Sequence, residues 1–146
     1  MIRVPSNAED EYAFKLTSFK GAVISNRNLH RILFEGDNLE GIIFKDCSIT
    51  GATFAYSKLN GAVFQNCILV NTSFACAFLK ETQFINCNLS STYFANAFLA
   101  YSRFSKCELS DAVLRGALLQ HAVFESCNLQ GVDLQDAIKN NDTLFI

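Results

Sequence analysis

From Phe14 onward every fifth residue is a large apolar one: Phe19, Ile24, Leu29, Phe34, Leu39, Phe44 and Ile49 follow in phase. Of the 27 positions in this series from 14 to 144, only Lys139 departs from it. Neither common secondary structure can use such a spacing. On an α-helix five residues advance a side chain by about 500°, so successive members land roughly 140° apart and smear around the axis. In a straight strand an odd step reverses the face each time. The series has a common interior only if the backbone turns a corner within every pentad.

A second column lies two residues before each large one, on the same side of a short extended segment. From 42 to 137 it has twenty members, of which eighteen are Ala, Cys, Ser or Thr; Ile42 and Val132 are the exceptions. Both columns therefore point inward, and the interior is narrow at the small positions. Cys47, Cys67, Cys87, Cys107 and Cys127 recur every 20 residues, with Phe44, Phe64, Phe84, Phe104 and Phe124 on the side before them. Four pentads thus close one turn of a square coil. All seven glycines, at 21, 36, 41, 51, 61, 116 and 131, fall two residues after a large position. A corner with positive φ favours glycine there.

These residues resemble the pentapeptide repeat family, whose repeat Ala-(Asp/Asn)-Leu-X-X appears here as Ala62-Val63-Phe64-Gln65-Asn66 and Ala112-Val113-Leu114-Arg115-Gly116. The resemblance spans roughly residues 12–137 and implies an all-β, right-handed quadrilateral parallel β-helix of about six coils. At the usual strand spacing of ~4.8 Å this makes a rod on the order of 30 Å long. Residues 1–11, with Pro5 and the acidic run Glu9-Asp10-Glu11, are expected to cap the N-terminal end. Residues 138–146 are expected to form a C-terminal cap or tail. There Asn140-Asn141-Asp142 reads as a turn, and Leu144-Phe145-Ile146 either folds over the last coil or supplies a dimer contact, the chain then being a homodimer.

Full burial of one large side chain contributes ~1.5–3 kcal/mol, against ~1–2 kcal/mol of backbone entropy per ordered residue. Two buried residues in five leave little margin for one coil, so stability must come from stacking coils. The uncharged stretches Leu59 to Leu79 and Thr82 to Ser102 are each long enough to suggest a membrane span. Both keep the five-residue lattice and contain asparagines such as Asn60, Asn71 and Asn96, so no membrane association is expected. The N-terminal Met1-Ile2-Arg3-Val4-Pro5-Ser6 has no apolar signal core, which points to a cytoplasmic chain.

Chemistry-bearing constellations are scarce. The five in-phase cysteines lack CxxC spacing and share their column with no histidine, so they read as small apolar filler rather than zinc ligands. Cys76, at a corner, is the thiol expected near solvent. His30 and His121 lie outside both inward columns and far apart on the lattice. Arg27 and Asp37 occupy the small column of the first pentads, which suggests an irregular first coil. No serine–histidine–acid set, phosphate loop or paired inward carboxylates occur, so no catalytic residue, cofactor or metal is expected.

The net charge of −2 with no basic stripe argues against direct nucleic-acid binding. The family resemblance raises one alternative, since its quinolone-resistance members bind DNA gyrase through an acidic, DNA-like rod. Residues 41–130 carry five acids and six bases, a near-neutral balance unsuited to that mimicry. The leading expectation is a non-enzymatic protein–protein interaction module with an unidentified protein partner. The residue before each large one points outward, and on one side these are Lys58, Phe78, Phe98 and Leu118. An outward apolar ladder of Phe78, Phe98 and Leu118 is an interaction-site signal. Tyr93 and Tyr101 add exposed aromatic surface elsewhere.

Overall fold

A computed structural model describes residues 19–146. The described chain winds as a square coil with a period of 20 residues. Each coil has four sides, here numbered from residues 22–26 (side 1), 27–31 (side 2), 32–36 (side 3) and 37–41 (side 4), then repeating. Side 1 forms a parallel sheet of seven strands in chain order. These are β1 (Val23–Ser25), β2 (Ile43–Lys45), β3 (Val63–Gln65), β4 (Gln83–Ile85), β5 (Arg103–Ser105), β6 (Val123–Glu125) and β7 (Leu144–Phe145). The other sides are too short for named strands, but parallel bridges join the same residues coil to coil. Asn28↔Ser48, Leu33↔Thr53 and Asn38↔Lys58 open three ladders that end at Asn128, Asp133 and Ile138.

The lattice exists because each corner is made the same way. All 24 corner positions from 21 to 136 have positive φ; seven are glycine and 17 are not. Asparagine and aspartate take several of the rest, including Asn66, Asn86 and Asp111, because short polar side chains tolerate this region best. The corner amides from Gly21 to Ser126 are satisfied, as where Asn66 N–H donates to the Ile85 carbonyl at 2.9 Å in the next coil.

The inward columns fill the rod. Every large lattice residue from Phe34 to Leu119 is fully buried. Phe44, Phe64, Phe84, Phe104 and Phe124 stack with centroids 4.5–5.1 Å apart. A second stack, Phe34, Phe54, Phe74 and Phe94, meets the first edge to face, as in the 89° pair Phe64–Phe74. Parallel stacking and T-shaped contacts together suit the ring quadrupole. Polar members of the small column are accommodated by carbonyls of the coil below. Thr72, Thr82 and Thr92 hydroxyls donate at 2.9 Å to Ile49, Leu59 and Leu69. Among the described residues only Ser102 Oγ is a buried side-chain polar atom without a partner.

The cysteine ladder marks one edge of the square. At the corners after sides 2, 3 and 4 the first backbone N–H beyond the turn closes onto a carbonyl three residues back, as from Ala52 to Ile49 and from Ser57 to Phe54. Among the described residues, the corner after side 1 makes no such bond. There a cysteine sulfur lies 3.2–3.5 Å from the carbonyl two residues before it and from one in the coil below.

Three expectations are refined. The first described coil has a regular backbone, paired through β1 and its bridges, and holds Arg27 and Asp37 half-buried with partners of their own. Cys76 is not the only thiol near solvent, since Cys127 in the last coil is also half-exposed. The ladder of side 4 runs on to Ile138, and the lattice breaks at exposed Lys139. The segment 1–11 lies outside the described residues. No helix among the described residues is long and apolar enough to cross a membrane.

Candidate functional site

Side 4 carries the outward ladder. The parallel bridges Lys58↔Phe78, Phe78↔Phe98, Phe98↔Leu118 and Leu118↔Ile138 place these side chains one above another along the rod. Backbone bonds fix the register, Phe78 N–H donating to Ser57 and Phe98 N–H to Ala77, each at 2.9 Å. The two rings stack with centroids 4.9 Å apart and planes 3° from parallel. They cover each other, yet Phe78 stays 41% and Phe98 39% exposed. Leu118 is half-buried beside them, and Ile138 is exposed. The structure thus brings Phe78, Phe98 and Leu118 together and adds Ile138. Its outward position in phase with Leu118 was the signal for it, obscured by the lattice failure one residue later.

Both flanks of the ladder are aromatic. On one corner Cys76 lies beside exposed Tyr56 and holds its phenol pKa up, chiefly by charge interaction. On the other, Tyr101 stacks on His121 at 4.4 Å, and the Lys80 ammonium sits 5.8 Å from the centre of the Tyr101 ring. A cation over an aromatic face is favourable at such a range. Tyr93 lies on the neighbouring side 3, 45% exposed.

Leu144, Phe145 and Ile146 are placed away from this ladder, on side 1. β7 pairs in parallel with β6, but with Leu144 opposite Val123 and Phe145 opposite Phe124. One extra residue in the turn at 140–143 advances the register from 20 to 21. Phe145, off the five-residue lattice in sequence, therefore takes the inward seat and stacks on Phe124 at 5.0 Å. The turn is fastened by Asn140 Oδ1 accepting from His121 N–H, by the Thr143 hydroxyl donating to Leu119, and by His121 Nδ1 lying 3.2 Å from Asp142.

The described residues contain no cluster of three or more His, Cys, Asp or Glu side chains arranged to hold a metal. Hydrogen bonding between ladder thiols, together with burial, pushes Cys47, Cys87 and Cys127 up. At Cys67 and Cys107, each with a thiol above and below, the neighbours' hydrogen bonds act in the opposite sense, against burial. Each sulfur faces carbonyl oxygens, which attract an S–H and repel a thiolate, so the column is held neutral. Charges on the outer surface are mixed on every side: Lys45 and Asp46 on side 1, Arg31 and Asp111 on side 2, Arg115 and Asp136 on side 3, Lys80 and Glu81 on side 4.

Comparison with known proteins agrees with this architecture. The sequence matches the family models described as "Pentapeptide repeat region" over residues 77–143 and "Pentapeptide repeats (8 copies)" over 28–66 and 47–84. A comparison with curated protein sequences finds no match. Among solved structures the chain is similar to HetL, a pentapeptide repeat protein involved in heterocyst differentiation regulation from the cyanobacterium Nostoc sp. strain PCC 7120. That similarity has a TM-score of 0.61 at 20% identity and covers 81% of this chain and 57% of HetL. The chain therefore spans little more than half the length of that protein. It is also similar to full-length QnrB1, a plasmid-mediated fluoroquinolone resistance protein, with a TM-score of 0.52, 21% identity, and coverage of 84% and 86%. At these identities the likeness shows the fold.

Proposed function

From the premise that the chain belongs to the pentapeptide repeat family, we propose that it is a non-enzymatic interaction module that presents side 4 of its rod to a protein partner. The observation that carries this reading is the Phe78–Phe98 pair, mutually stacked yet about two-fifths open, in line with Leu118 and Ile138. Contiguous exposed apolar surface of this kind is a mark of partner sites, and aromatic side chains dominate the binding energy of such sites. A rigid β-ladder adds preorganisation, because the contact residues lose little freedom on binding. The described surface offers no assembled catalytic group, and the inward columns are filled by packing. The chemistry of the partner follows: an apolar, preferably aromatic, patch flanked by groups that tolerate both Lys80 and Glu81.

The DNA-mimic reading is the weaker one. It calls for a strongly acidic rod, whereas both signs of charge occur on every side here. One experiment addresses both. The parent chain and Phe78→Ser/Phe98→Ser are immobilised, and captured proteins are compared at equal loading, with a gyrase supercoiling assay run beside them. The module reading expects a captured protein lost from the double variant, and no inhibition of supercoiling. An unchanged capture profile removes the side-4 reading; inhibition by both proteins alike installs the DNA-mimic reading instead.

A further inference from the structure

Side 4 has a centre. Its outward residues form two columns, one of Phe78, Phe98 and Leu118 and one of Lys80, Ala100 and Gln120. The corner beside the second column carries Glu81, Tyr101 and His121. The bridges Phe78↔Phe98 and Phe98↔Leu118 set these rungs one above the next. A half-turn about a line across the rod at the Phe98 rung therefore exchanges the first and third members of every column.

We propose that the occupant of side 4 is a second copy of the chain, laid face to face with its rod antiparallel, about a two-fold axis at the Phe98 rung. The inference rests on the reading of side 4 as a contact face and names what covers it. Each column is its own complement when reversed. Phe98 meets Phe98, and Phe78 meets Leu118, so the run that leaves Phe78 41% and Phe98 39% exposed is covered along its length. Lys80 meets Gln120, an ammonium donor against an amide oxygen. Ala100, small and half-buried, leaves the axis unobstructed.

The corner agrees in charge. Glu81 of one copy meets His121 of the other, twice over. The Nδ1 of His121 lies 3.2 Å from Asp142 and its ring stacks on Tyr101, which leaves Nε2 as the nitrogen for Glu81. Other arrangements match less well. Parallel rods reverse the columns across the face and set Phe78 against Lys80. An antiparallel pair centred on Phe78 sets Lys80 against Lys80, a like-charge contact that opposes association. Because both copies use the same surface, the contact closes at two. The five rungs from Lys58 to Ile138 span about 19 Å at the usual strand spacing. A face of that length and one side wide falls short of a standard interface, so the affinity belongs in the micromolar range.

Sedimentation of the parent chain over roughly 1 to 100 µM is expected to show the mass rising from 16.2 kDa to twice that value. Ala100→Arg sets a cation on the axis of each copy and leaves the ladder rings in place. It should raise the dissociation constant by about ten-fold or more, as should Phe78→Ser/Phe98→Ser. Ala100→Cys, treated with a short bis-maleimide, should link to its own counterpart. Lys58→Cys, two rungs from the axis in each copy, should link at least about five-fold more slowly. Peptide mass separates these links from any at Cys76 or Cys127. A parent chain that stays monomeric overturns the self-pairing. If that monomer captures a different protein through Phe78 and Phe98, side 4 is still a contact face with another occupant; if it captures nothing, the face reading falls too. Growth past the dimer, a dimer indifferent to Ala100→Arg, or linking no faster at Ala100→Cys than at Lys58→Cys would also overturn the proposal. Should the double serine variant lose its β circular dichroism, the outward substitutions at Ala100 and Lys58 decide.

Discussion

Two phenylalanine stacks run along this rod, one inside and one outside, and their geometry is nearly the same. Within the core Phe64 and Phe84 stack at 5.0 Å and 8°; on side 4 Phe78 and Phe98 stack at 4.9 Å and 3°. Yet Phe84 is fully buried and Phe78 is 41% exposed. The repeat imposes stacking on any residue that recurs every 20 positions, so stacking alone says nothing about role. Burial separates the two. The inner stack fills the interior of the rod, and the outer stack lies on its surface.

The comparison can be strained first where the effect is largest. Phe84→Ala opens a cavity bounded by stacked and edge-on rings. Such truncations lose about 3–5 kcal/mol, which lowers the thermal midpoint by roughly 10 °C or more. A shift of only a degree or two, by circular dichroism, would mean that the coils repack around the gap and that the inner stack is dispensable. A smaller effect sharpens the same contrast from within the small column. Ser102 is buried with an unpartnered hydroxyl, whereas its column-mates Ala62, Ala77 and Ala97 are buried without one. Ser102→Ala should raise stability by about 1 kcal/mol, since an unmet buried polar group is costly. A loss of stability in denaturant titration would show that the hydroxyl is satisfied after all.

Most of the architecture could be read from residue spacing. The five-residue series foretold corners, the 20-residue recurrence of cysteine foretold four sides, and the small column foretold a narrow interior. Phe78, Phe98 and Leu118 were also legible, because the phase that buries Leu79, Leu99 and Leu119 points their predecessors outward. What escaped was set by breaks in phase. The extra residue in the 140–143 turn moves the inward seat from Leu144 to Phe145, and a lattice extrapolated through Lys139 cannot register that slip. Cys127 looked like its four ladder-mates because spacing carries no information about how far a coil lies from the last one described. The missing turn bond at the cysteine corners has a counterpart in the sequence, for all seven corner glycines fall after sides 2, 3 and 4 and none after side 1.

The most direct test of the division between inner and outer columns is thermal unfolding of Phe78→Ser/Phe98→Ser beside Phe84→Ala and the parent chain. With two rings removed from the surface, the account predicts a loss of about 1–2 kcal/mol, a shift of a few degrees, well short of that from the single inward truncation. A double variant that melts as early as Phe84→Ala would contradict it, because side 4 would then be holding the rod together rather than offering it to a partner.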